Sequence, residues 1–172
     1  MIQTLLSRIG WLLLLLALQI FVFNHIHLAG YATPMPYVYF LLILPGNTPR
    51  WLYLTIGFVV GLLLDLFTNT PGVTAASLCA IGLVCPLLLN AFSPKDKSDE
   101  TLLPSANSME WGNFLKYAFS ICMLHCIIFF GIEAFSFLHT TPLLISILSS
   151  TFLTFLIVAG IESIRDRITR KT

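Results

Sequence analysis

The stretch Trp51–Gly72, WLYLTIGFVVGLLLDLFTNTPG, decides how the rest of the chain is read. It is an apolar run suited to a membrane helix, and Gly57, Gly61 and Asp65 recur in it at i, i+4 and i+8, on one helical face. Small residues at that spacing let another backbone approach closely where lipid gives no hydrophobic drive for helix association. A carboxylate on the same stripe is expensive in hydrocarbon, so it must face protein, water or the interface. The expected role is structural packing, with Asp65 near the headgroups; a functional pocket or docking seam on the same face is the sharper alternative.

Composition sets the class. The chain has 172 residues, of which 57% are hydrophobic and 10% charged, with a mean hydropathy of +0.90. Those values describe a polytopic membrane protein rather than a soluble domain or a disordered chain. A formal net charge of +1 gives no basic patch for nucleic acid. Cys79, Cys85, Cys122 and Cys126 all lie inside apolar runs, where cysteine behaves as a small buried hydrophobe, so no secreted disulfide framework is indicated.

Crossing about 30 Å of hydrocarbon takes roughly 20 residues. Leu5–Asn24, Trp51–Phe67, Gly72–Phe92 and Phe114–Phe137 qualify, and Pro142–Glu162 is a further run rich in Ser and Thr. No small-residue cleavage site follows the first run, which reads as an uncleaved span. Between the first two lies Pro34–Pro45, PMPYVYFLLILP, too short for a regular crossing and bounded by prolines. The positive-inside rule resolves it. If the short segment crosses, Arg8, Arg50, Lys95, Lys97, Lys116, Arg165, Arg167, Arg170 and Lys171 all fall on the cytoplasmic side. The expectation is therefore a single domain, 1–172, with six spans and both termini cytoplasmic. Its second span is tilted, broken or partly re-entrant, with irregular backbone shielded by neighbours. The outer loops Asn24–Thr33, Thr68–Pro71 and Leu138–Thr141 are short. The loop Ser93–Asn113 reads as an irregular cytoplasmic connector, with Met109 and Trp111 anchored at the interface, and 163–172 as a basic cytoplasmic tail.

Few polar groups inside the spans suggest chemistry. Asp65 and Glu133 are expected near the outer membrane boundary, which argues against a pair of facing carboxylates sharing a proton at the bilayer centre. His125 stands between Cys122 and Cys126, but adjacent residues on a helix point about 100° apart, so one helix does not make a metal site. An interhelical hydrogen bond is the expected role of His125. His125 and Glu133 share one broad face, as polar lining of the bundle or as a contact with the third span. No Ser/His/Asp set, HExxH, phosphate-cradling loop or dinucleotide fingerprint appears, so no catalytic residue, cofactor or metal ligand is assigned and the chain is not expected to be an enzyme. Ser146, Ser149, Ser150, Thr151 and Thr154 mark the last span as an interface helix, within this chain or with a partner.

PYVYFLLILP followed by TPRWLYLTIGFVVGLLLDLFTNTPG resembles the signature region of the rod shape-determining MreD family, in which a proline-led short span precedes a G-F-x-x-G-x-x-x-D-x(5)-G pattern. Gly57, Phe58, Gly61, Asp65 and Gly72 match that pattern; SPKD (93–96), FLKY (114–117) and LHCIIFFGIEAF (124–135) are similar to the variant of the family in Bacteroidota. The chain departs from it at Thr74 and Cys85, where similar sequences tend to carry a His and an Arg. The resemblance implies a non-catalytic, multi-pass inner-membrane component of the cell-elongation machinery. Such a component associates with the bitopic scaffold MreC and, through it, with MreB, RodA and penicillin-binding protein synthases of lateral peptidoglycan. It also implies a fold similar to the substrate-binding S component of energy-coupling factor vitamin transporters, which supplies the alternative function. Against that alternative, the first span has Ala17 as its lone core small residue, without the small-xxx-small stripe that such components present.

Overall fold

The computed structural model describes residues 2–23, 32–68, 70–93, 104–134 and 140–169. The expected loop around 24–31, the stretch 94–103 with Lys95 and Lys97, the connection 135–139 and the basic end 170–172 lie outside the described residues. Among the described residues seven helices follow in chain order: α1 (Ile2–Phe21), α2 (Val38–Leu42), α3 (Arg50–Thr68), α4 (Val73–Phe92), α5 (Ala106–Met109), α6 (Trp111–Glu133) and α7 (Thr140–Thr169). Among the described residues, α3, α4, α6 and most of α7 are long and apolar enough to cross a membrane. The protein is therefore an all-helical membrane protein.

Each long helix buries one stripe and leaves the other apolar. On α3, Tyr53, Gly57, Val60, Gly61, Leu64 and Asp65 are buried while Phe58, Val59, Leu62, Leu63 and Leu66 are exposed. In water that outer face would be a large apolar patch; in lipid it is the natural boundary. α3 and α4 form an antiparallel hairpin, in which Tyr53, Gly57 and Gly61 of α3 stand against Gly82, Leu78 and Ala75 of α4. The Cys85 thiol and the Tyr117 hydroxyl, 3.0 Å apart, mark a second antiparallel seam between α4 and α6. α7 packs on α6, so that the starts of α3 and α6 and the ends of α4 and α7 share one end of the bundle. Arg50, Lys116, Arg165 and Arg167 lie toward that end, called here the basic end.

The core of the bundle is the proline-bounded stretch. Every residue from Pro34 to Leu44 is buried, yet only the five residues of α2 are helical. Backbone outside a helix or barrel is tolerated at membrane depth only when other groups satisfy it. The Thr33 N–H donates to Ser150 Oγ at 2.9 Å and the Met35 N–H to Thr154 Oγ1 at 3.0 Å. Two of the hydroxyls expected to make α7 an interface helix, those of Ser150 and Thr154, thus serve an interface within this chain, while that of Ser149 turns back to carbonyls of its own helix. As the stretch advances from Thr33 to Tyr39, its partners on α7 advance from Ser150 to Glu162, so it runs along α7 toward the basic end. There Tyr53 Oη lies 3.3 Å from the carbonyls of both Leu44 and Pro45, fastening the exit of the stretch to α3.

The connector before α6 differs from its expectation as an irregular loop with interfacial anchors. Residues 104–110 are folded: Ser105 and Ser108 make a reciprocal capping box on α5. Met109 is fully buried in the core, because α5 tucks its apolar side against α6 and α7. Of the two expected anchors, Trp111, half-buried at the start of α6, is the one that keeps a partly exposed position.

Candidate functional site

The glycine stripe is a backbone seam. A methyl group at Gly61 would lie 2.4 Å from Ala75 Cα and 2.7 Å from Ala75 N, and one at Gly57 would lie 2.9 Å from Leu78 O. These are main-chain atoms, which cannot swing aside as a long side chain can. The seam is filled by α4 of the same chain, so Gly57 and Gly61 do not offer a free groove to another helix.

Asp65 continues the stripe and ends it. Its Oδ1 accepts the Thr74 N–H at 2.9 Å and the Thr70 hydroxyl at 3.0 Å, while Oδ2 accepts the Ala75 N–H at 3.0 Å. Thr74 and Ala75 are the second and third residues of α4, and the N-cap position is Gly72, which has no side chain to offer. The first N–H groups of a helix have no intrahelical acceptor, and a carboxylate there also complements the helix dipole. Asp65 is therefore a remote N-cap, delivered from the preceding helix. Gly72 itself has φ +84 with open space around its Cβ position, so its requirement is conformational, not steric. The Thr68 and Thr70 hydroxyls, 2.6 Å apart, complete the turn.

His125 is fully buried, and its Nε2 lies 3.0 Å from Tyr37 Oη, with the two rings edge to face. The interhelical bond thus links α6 to the central stretch; the contact with the third span that the shared face suggested is made instead to Tyr37. Glu133, at the exposed end of α6, is not brought beside His125. Among the described residues no group of three His, Cys, Asp or Glu side chains is arranged to hold a metal ion.

A second polar group was not singled out from sequence. Glu162, 1% exposed, accepts the Tyr39 hydroxyl at Oε2 (2.7 Å) and, at Oε1, the Ala106 N–H (2.8 Å) and Arg165 Nη2 (3.0 Å). Arg165 Nη2 also donates to the Pro104 carbonyl at 3.0 Å. Glu162 reads in the sequence as the first charge after an apolar run. The signal that could have drawn attention to it is the basic residue three positions on, which places a counter-ion on the same helical face. Tyr37, Tyr39, His125 and Glu162 together line the central stretch with hydroxyl, imidazole and carboxylate. This arrangement orders and braces buried backbone.

Comparison of the chain with models of known protein families, with curated proteins and with solved structures finds no match.

Proposed function

We propose that the chain is a non-catalytic membrane scaffold of the MreD kind, which maintains cell shape by coupling an MreC-like bitopic partner, and through it MreB, RodA and a penicillin-binding protein, to lateral peptidoglycan synthesis. The observation that carries this reading is that four of the five residues of the signature pattern, all but the outward-facing Phe58, have separate structural tasks in one unit. Gly57 and Gly61 admit α4, Asp65 caps it, and Gly72 supplies the turn conformation. The polar side chains that would otherwise invite a catalytic assignment are engaged in bracing: Asp65 holds a helix end, Tyr37 and His125 hold each other, and Glu162 joins the Tyr39 hydroxyl to the Ala106 N–H. In the proposed topology Pro34–Pro45 is a broken second span of six, the basic end is cytoplasmic, both termini are cytoplasmic, and the membrane is the bacterial inner membrane.

Affinity purification of the tagged full-length chain from native membranes tests the reading. Co-isolation of an MreC-like protein is expected. Gly57→Leu and Gly61→Leu should lose that partner and round the cells; because both positions face α4, the loss should come with reduced thermal stability of the chain itself. Rod-shaped cells with undiminished partner recovery in both variants would count decisively against the proposal.

A second reading, a substrate-binding S component of an energy-coupling factor vitamin transporter, draws on one observation. Among the described residues, Gln19 Oε1 and His125 Nδ1 are buried and have no hydrogen-bond partner. Buried polar atoms without partners are costly, and a polar ligand would satisfy them. Co-isolation of paired ATPases, with vitamin binding by the purified chain, would favour this second reading.

A further inference from the structure

The carboxylate of Glu162 is shared between two parts of the chain. Oε2 takes the hydroxyl of Tyr39 from the buried central stretch, and Oε1 takes the N–H of Ala106 from the start of α5. Arg165 lies against both sides: it donates to Oε1 and to the Pro104 carbonyl, and its guanidinium carbon stands 5.8 Å from the centre of the Tyr39 ring. With Glu162 buried, a lost partner is not replaced by water, so the remaining contacts must rearrange around an uncompensated acceptor.

α5 is closed as a local unit. Its capping box closes it locally, Ala106 and Met109 bury its apolar side, and Glu110 joins it to α6 at φ 65, ψ 144. That backbone region is rarely occupied by residues with a Cβ and persists only where surrounding contacts over-determine it. Releasing α5 therefore relieves strain at its hinge, which places the restraint on Glu162, Arg165 and the buried Met109.

We propose that Glu162 is a latch that couples Pro104–Met109 to the central stretch Met35–Leu44, so that drawing α5 off the basic end loosens the core of the bundle, and loosening the core frees α5. Such coupling is reciprocal by thermodynamic necessity. It stands on the contacts of this chain alone and does not depend on the scaffold reading.

Hydrogen exchange of the full chain in lipid nanodiscs, followed separately over 104–110 and 36–44, tests it. Tyr39→Phe removes the hydroxyl that Oε2 accepts and keeps the ring. Ala106→Pro removes the N–H that Oε1 accepts, at a first helical position where proline is tolerated. Tyr39→Phe should speed exchange over 104–110, and Ala106→Pro should speed it over 36–44, each at least about fivefold, the low end of ordinary coupling between sites. Glu162→Gln should speed both. Should Ala106→Pro fail to fold, Ser105→Ala, which removes the cap of α5, replaces it and is read in the same way. The latch is overturned if folded, monodisperse variants each speed exchange only in the segment that carries the substitution.

Discussion

At Gly61 a single added methyl group would meet the backbone of Ala75 at 2.4 Å, whereas at Gly57 the nearest atom is the Leu78 carbonyl at 2.9 Å and at Gly131 nothing lies within 4 Å. Three chemically identical substitutions should therefore rank by position. Gly61→Ala should separate the hairpin and cost roughly 3 kcal/mol or more, beyond the usual overpacking range because backbone must move. Gly57→Ala should cost about 1–2 kcal/mol on the same scale, partly offset by the better helix propensity of alanine. Gly131→Ala should be neutral or slightly stabilising. Thermal unfolding of the three variants in one detergent checks the order. Asp65 is the other decisive residue. Asp65→Ala strands two N–H groups at the start of α4 and should cost roughly 2–3 kcal/mol, while Asp65→Asn retains one acceptor and should cost about half of that. Exchange rates at the Thr74 and Ala75 amides, which Asp65 alone caps from outside α4, would separate local fraying from global unfolding.

At the scale of elements, α7 supplies what the central stretch lacks. Thr154 is fully buried, and its hydroxyl accepts the Met35 N–H. Thr154→Val keeps the shape and removes the acceptor, so it should destabilise the chain by about 1–3 kcal/mol and raise exchange at Met35 before it affects α3 and α4. This pairing also shows how far sequence reading reaches. The small face of α3 was legible because a period of four residues within one helix states which face is small, though not that α4 fills it, and the hydroxyl-rich face of α7 announced an interface. The partner of that face was not legible, since Thr33 and Met35 meet it through backbone N–H groups that every residue carries. Glu162 was hidden for a related reason. An acidic residue at the end of an apolar run looks like a boundary, and only folding of 104–110 over it turns a boundary into an interior. Met109 misled in the same way: an apolar residue in a polar loop reads as an interfacial anchor until the short helix that buries it is formed.

For the whole molecule, the arrangement of helices makes one end basic and puts the Thr68–Gly72 turn at the other. The proposed orientation then has a direct check. Single cysteines introduced at Asn47 and at Pro71, in a chain whose native cysteines are replaced by serine or alanine, should label from opposite sides of sealed membrane vesicles. Labelling of both from one side would mean that α3, which joins them, does not cross the membrane, and labelling of residue 47 from the outer side would overturn the proposed orientation. Residue 47 belongs to the exposed turn after the buried stretch and residue 71 to the exposed α3–α4 turn, so both reagents have access without disturbing the core.

The central stretch also sets an order of events during synthesis. Its backbone and side-chain partners on α7 lie 117, 119 and 123 residues further along the chain, and its partner on α6 lies 88 residues further. At roughly 5–20 residues per second, translation takes several seconds to deliver them. Until then residues 33–44 have prolines at their edges, broken helical structure and no acceptors from the later helices, and a nascent chain must park them in water, at the interface or against the insertion machinery. A ribosome-bound chain arrested before α7 emerges should accordingly leave this stretch open to protease or to crosslinking with the translocon, and a chain tethered far enough along for residue 162 to have left the ribosome should close it. α7 is thus the helix that completes the central stretch laid down far earlier in the chain.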